Sequence, residues 1–148
     1  QGASSKSALP GNGDVNCPRP AAIMCSFILA NWLITNLTYV NFLLRPRGPD
    51  ATSHVHLNGF DFVHNLLHMT GERLIQPLVG NGVAALFNGE IYNWRSLLEQ
   101  RSLRGVSDGD TVLPLYSELG PAFPRALDGE FALALVDFGA NEVVLSTD

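Results

Sequence analysis

The sequence predicts an α+β fold, and three of its stretches carry that expectation. From His54 to Val63 the residues alternate as the arms of a β-hairpin do, turning at Asn58-Gly59, a dipeptide that accepts positive φ. Phe131-Ala132-Leu133-Ala134-Leu135-Val136-Asp137-Phe138 is apolar at odd and even positions alike, the pattern of a central strand covered on both sides. Between these lie two helical stretches, Trp94 to about Arg101 and a second that reaches Leu119. At 148 residues, with 46% hydrophobic and 16% charged residues, the chain suits one folded body.

Taken in order, residues 1–20 are rich in Gly, Ser, Pro and Asn and read as an extended tail, with residues 21–148 as the folded domain. Ala21 to Leu44 carries no charge, and its 24 residues exceed the roughly 20 that cross a membrane. Asn31, Thr35, Asn36, Thr38 and Asn41 argue against a span, because polar groups facing lipid cost several kcal/mol. The run divides instead into a strand near Cys25 to Trp32, a polar break, and a short helix near Leu37 to Leu44. On that helix Leu37, Val40, Phe42 and Leu44 cannot share one face, so burial on more than one side is expected. Asn36-Leu37-Thr38 is a formal glycosylation sequon set in an apolar run.

The two prolines of Arg45-Pro46-Arg47-Gly48-Pro49-Asp50 end the helix in a rigid loop. After the hairpin, Gln76-Pro77-Leu78 and Asn81-Gly82 lead into a buried strand, Val83 to Phe87, which runs into the polar turn Asn88-Gly89-Glu90. Asn93 is a natural cap for the helix that follows, which would bury Trp94, Leu97 and Leu98. In the next helix Pro114 fits only near the first turn, which places the cap at Asp108 or Asp110; Gly120-Pro121 closes it. A last strand runs from Glu142 to Ser146.

A net charge of −5, with nine scattered Lys and Arg, leaves no basic surface for a nucleic acid. Cys17 and Cys25 are too few for a disulfide framework or a four-ligand zinc site. The four histidines fall within fifteen residues; His64 and His68 have helix-face spacing and His54 and His56 strand-face spacing, and without a cysteine or acidic residue at ligand spacing to complete a site, no metal is expected. No cofactor motif appears, including no phosphate-binding loop. With no clear targeting signal, the compartment stays open between cytoplasmic and organellar, and the chain does not read as a typical secreted protein.

Alone, Asn88-Gly89 after an apolar strand also reads as a two-residue hairpin turn. Its company changes the reading. Met24-Cys25-Ser26 lies upstream, then Arg45-Pro46-Arg47-Gly48-Pro49-Asp50, then Leu86-Phe87-Asn88-Gly89-Glu90-Ile91-Tyr92-Asn93, then Ser107-Asp108-Gly109-Asp110. In this order they resemble the glutaminase domain of class II glutamine amidotransferases, the asparagine-synthetase-like branch of the N-terminal-nucleophile hydrolases. The likeness runs from Cys25 to Asp148. It implies a sandwich of mainly antiparallel sheets with outer helices, incomplete at its last strands.

The resemblance also implies a chemistry. Cys25 would attack the carboxamide of glutamine, with its own α-amino group as proton acceptor once Met24 is removed. Asn88 through its side chain and Gly89 through its backbone amide would hold the oxyanion. Arg47 would clamp the substrate α-carboxylate, and Glu90 and Asp108 would receive the α-ammonium. The ammonia would pass to a synthetase domain. This sequence departs from relatives in three places. Here 24 residues precede Cys25; His64-Asn65-Leu66-Leu67 stands where relatives carry a His-Arg-Leu run, with a short link from Cys25 to Arg47; and the chain ends at Asp148. These departures favour a catalytically silent domain acting as an interaction subunit of a larger assembly, associated with protein partners. The alternative is an active glutaminase, released by cleavage before Cys25, that takes glutamine and supplies ammonia.

Overall fold

A computed structural model describes residues 24–69 and 72–148; the expected tail, residues 1–20, lies outside the described residues. The Ala21 to Leu44 run divides as expected: β1 is Ser26–Ala30 and α1 is Leu37–Leu44. Asn36 caps α1, its side-chain oxygen accepting the Tyr39 N–H at 3.1 Å. No helix among the described residues is long and apolar enough to cross a membrane.

Next come β2 (Ala51–Leu57) and β3 (Phe60–Leu66), joined at Asn58-Gly59, where φ is 48° and 82°. Both values lie in the left-handed region that such a two-residue hairpin requires. The same device at Asn81-Gly82 joins β4 (Leu78–Gly80) to β5 (Val83–Ile91). After β5 follow α2 (Trp94–Glu99), α3 (Val112–Leu119), β6 (Gly129–Asp137) and β7 (Glu142–Thr147). The strands form two antiparallel sheets, a three-stranded one in the order β1-β3-β2 and a four-stranded one in the order β4-β5-β6-β7.

Alternation along the strands assigns the layers. Phe62, Ala84, Leu86 and Val136 are buried between the sheets, with Phe27, Leu29, Leu57, Phe60 and Phe138 packed around them. On the other face of the four-stranded sheet, Ala85, Phe87, Leu133 and Leu135 form the larger core with Leu97 of α2 and Val112, Leu115 and Tyr116 of α3. The α+β sandwich with helices outside is therefore the observed architecture, and β6 is the doubly covered strand its sequence suggested.

Four local expectations are corrected. No residue of α1 is buried. It lies over the outer face of the three-stranded sheet and is held there by polar contacts: Asn65 donates to Asn41 Oδ1 at 2.7 Å, and Ser26 donates to the Leu44 carbonyl at 3.2 Å. Asn88-Gly89 is no turn, because β5 continues through it, with Asn88 opposite Ala132 and Gly89 opposite Phe131 on β6. The segment before α3 is a 3-10 turn, Asp108–Thr111, capped by Ser107 rather than by an aspartate. Asp110 instead accepts the N–H groups of Val106 and Ser107 at 2.7 and 2.9 Å, and so serves the turn from within. Asn93 precedes α2, but its side chain joins Ala126 O and Asp128 N across the neighbouring loop.

Candidate active site

One end of the sandwich carries a cavity of about 470 Å³. Cys25 and Leu66 reach it from the three-stranded sheet, Gly89, Glu90 and Ile91 from the end of β5, and Ser107 and Asp108 from the turn before α3. Of the six residues singled out in the sequence, Cys25, Gly89, Glu90 and Asp108 line this cavity. Arg47 and Asn88 are not among its lining residues. Arg47 closes a short 3-10 turn, Arg45–Arg47, and is exposed. Asn88 faces the layer between the sheets, half-buried, with its Oδ1 enclosed and unpartnered. Arg95, on α2, also lines the cavity and was not singled out in the sequence. Its guanidinium sits over the Trp94 ring at 4.9 Å, a contact between neighbouring residues with no periodic signature.

Cys25 immediately precedes β1. Its thiol donates to the Leu67 carbonyl at 3.7 Å and accepts the Leu67 N–H at 3.1 Å, so backbone beyond the end of β3 fixes the sulfur. Burial raises the thiol above its ordinary pKa; the Leu67 backbone opposes that shift, and the charges of Asp108 and Asp50 add to it. A sulfur in this setting stays protonated near neutral pH and needs a base to become a nucleophile.

Gly48, in the loop after α1, shows why this wall of the site needs a glycine: a Cβ there would lie 2.0 Å from the Asn65 carbonyl oxygen. Nearby, Asp50 accepts the His68 N–H at 2.7 Å. The loop therefore rests directly against the chain leaving β3, the same chain that holds the sulfur.

The edge of β5 facing away from β6 is the second wall. Backbone groups of a strand alternate between its two edges, so Phe87, Gly89 and Ile91 all present theirs on this side. β4 covers the edge only as far as Ala85, opposite Leu78. Beyond it, the buried Gln76 side chain takes the place of a strand, donating to Phe87 O at 2.9 Å and accepting the Phe87 N–H at 2.6 Å. At the far end Asp108 Oδ2 accepts the Ile91 N–H at 3.0 Å. Its other oxygen accepts from Ser107 Oγ and the Gly109 N–H at 3.0 and 2.9 Å, which locks the carboxylate in place. Gly89 lies between these two clamps. Its φ is 132°, and a Cβ would sit 2.0 Å from the Glu130 carbonyl oxygen, so no other residue fits there.

The four histidines take strand positions or follow a strand. His54 and His56 share a face, as their spacing suggested, and both bond Asp61 Oδ1, at 2.9 and 3.0 Å, which lowers that carboxyl's pKa. His64 lies within β3 and His68 beyond its end, so the helical spacing noted for them has no helix to act on. His64 is buried between the sheets, and burial pushes its imidazole down to about 4. Among the described residues no group of three His, Cys, Asp or Glu is arranged to hold a metal ion.

Two stacked antiparallel sheets, with a cysteine at the head of a strand and helices outside, define an N-terminal-nucleophile-hydrolase-like domain. A family model for the glutamine amidotransferase domain matches residues 24–148, and the chain belongs to that family. It is 38% identical to a probable glutamine-hydrolysing asparagine synthetase of Schizosaccharomyces pombe over 114 residues, covering 71% of this chain and 20% of that protein. It is 31% identical to a probable glutamine-hydrolysing asparagine synthetase of Dictyostelium discoideum over 136 residues, 86% of this chain and 24% of that one. Against asparagine synthetase 2 of Bacillus subtilis the identity is 28% over 145 residues, 92% of this chain and 18% of the relative. The chain thus spans about a fifth of the length of the curated relatives it matches.

Proposed function

We propose that this domain carries a glutamine site that is silent while Cys25 is joined to Met24 and hydrolyses glutamine to glutamate and ammonia once that bond is cut. The observation that carries the reading is the shared cavity, where the Cys25 thiol and the Gly89 edge of β5 look into the same space with Glu90 and Asp108. With the peptide bond intact, the nitrogen beside the sulfur is an amide and has no basic lone pair. The buried thiol then keeps its proton.

After cleavage a free α-amine takes that proton, and the sulfur attacks the carboxamide carbon. Asn88 Nδ2 and the Gly89 N–H stabilise the oxyanion. The amine returns the proton to the leaving nitrogen, ammonia departs, and water cleaves the remaining thioester to glutamate. Glu90 and Asp108 hold the substrate ammonium, and Arg47, swung in from its exposed turn, holds the carboxylate.

Glutamine-dependent ammonia release tests the reading in two forms of the protein, one retaining Met24 and one beginning at Cys25. Activity is expected only in the second and is lost in Cys25→Ala. Hydrolysis by the uncut chain, or none by a folded chain beginning at Cys25, overturns it.

A second reading has its own observation. Trp32, Leu33 and Phe42 are 72%, 88% and 67% exposed, which favours an interaction subunit that meets protein partners through α1 and the loop before it. Sedimentation of the chain alone, and after Leu33→Ser with Phe42→Ser, separates a self-associating face from an inert one.

A further inference from the structure

We infer that Gln76 is a positioning residue for the oxyanion-binding donor, acting through the backbone of Phe87 to set where the Gly89 N–H points. The inference rests on the glutaminase reading for its chemical meaning and on the geometry of the β5 edge for its substance.

A strand edge without a partner is free to shift and exposes donors and acceptors to whatever approaches. Here the neighbouring strand stops early: β4 pairs with β5 only from Leu78 opposite Ala85 to Gly80 opposite Val83. The next position along this edge of β5 is Phe87, and the register of β4, continued, would set Gln76 opposite it. Gln76 restores the missing pair with a side chain, since a primary carboxamide offers one donor and one acceptor, as a peptide group does. Both bonds are made, at 2.9 and 2.6 Å, and the residue is only 4% exposed. Its own backbone carbonyl accepts the Ser53 hydroxyl of β2, so the clamp is anchored to the opposite sheet.

Two residues further along the same edge comes Gly89, and two further again Ile91, held by Asp108. The Gly89 donor is thus bracketed by two fixed points, and one of them is also a cavity residue already given a role. Gln76 is the other. Gln76 also lines the cavity, but both groups of its side-chain amide are taken up by Phe87, so its contribution is to aim the donor.

Gln76→Glu is the discriminating substitution. A neutral carboxyl reproduces the amide's donor and acceptor, whereas a carboxylate has two acceptors and faces the Phe87 carbonyl with no proton to give. In the uncut chain, the Gly89 amide resonance of a 15N-labelled sample is followed against pH beside that of Leu115, which lies in α3. Gly89 is expected to be displaced in Gln76→Glu at neutral pH and to return toward its parent position as the pH falls, while Leu115 stays put. In the chain beginning at Cys25, kcat for glutamine is expected to fall about a hundredfold in the variant at neutral pH with KM within about twofold. The deficit relative to the parent should shrink on acidification.

Gln76→Met, of similar size and without either bond, gives the same displacement at every pH and serves if the charged variant does not fold. A Gly89 resonance that follows the parent in both folded variants overturns the inference. If the parent chain beginning at Cys25 hydrolyses no glutamine, the glutaminase reading fails by itself, and the resonance measurement still decides whether Gln76 sets the Gly89 amide.

Discussion

The four-stranded sheet is covered on both faces, by the inter-sheet layer around Leu86 and Val136 and by the core that α2 and α3 complete. The three-stranded sheet gives one face to the inter-sheet layer, and α1, which lies over the other, has no buried residue. The candidate site straddles this difference. Gly89, Glu90 and Asp108 come from the thick half, while Cys25 comes from the thin one. A donor aimed at a transition state needs a support that does not yield. The sulfur is placed by two contacts to Leu67 and needs less around it.

The comparison breaks first at the core. Phe123 is fully buried against Tyr116 and the four-stranded sheet, and Phe123→Ala is expected to cost about 4 kcal/mol in denaturant unfolding. A loss under about 1 kcal/mol would mean that the thick half is not the stability reservoir.

Next is the layer both sheets share. Because burial holds His64 down to about 4, the folded chain refuses a proton that the unfolded chain binds below its ordinary value near 6.5. The stability is complete above about pH 6.5 and falls as the pH is lowered toward 4, by roughly 3 kcal/mol in all. His64→Leu should flatten that part of the pH profile, measured by thermal melts from pH 7 to 4.

A glycine pair sharpens the contrast within one strand and its turn. Gly89 and Gly82 both have positive φ, but a Cβ would clash only at Gly89. Gly82→Ala should cost about 1 kcal/mol and Gly89→Ala about 2 kcal/mol or more, with urea melts as the measure. The smallest effect belongs to the thin half: Phe42→Ser, on exposed α1, should change stability by no more than about 0.5 kcal/mol.

Local chemistry made much of this fold legible. The Asn58-Gly59 hairpin, the strand-then-helix division of the uncharged run, and the doubly apolar β6 follow from residue types and spacing alone. The misreadings have physical causes. Asn88-Gly89 looks like a hairpin turn because its residues suit one, yet Asn88 keeps ordinary strand geometry and pairs with Ala132, so tertiary pairing overrides turn chemistry. Apolar side chains along α1 suggested burial, but a helix is buried only where something lies over it. Gln76 carried no signal at all. Its partner is a backbone eleven residues away, and a bond between a side chain and a distant peptide group leaves no period to read.

Asn65 is fully buried among three hydrogen bonds, accepting from Thr52 at 2.8 Å and donating to Ser26 at 3.1 Å and Asn41 at 2.7 Å. Oil-like cohesion would let a short helix slide along a sheet with little penalty, whereas a carboxamide engaged on three sides accepts a single seat. A leucine there would give α1 a greasier bed and no address, leaving the helix free to drift over the surface it now marks.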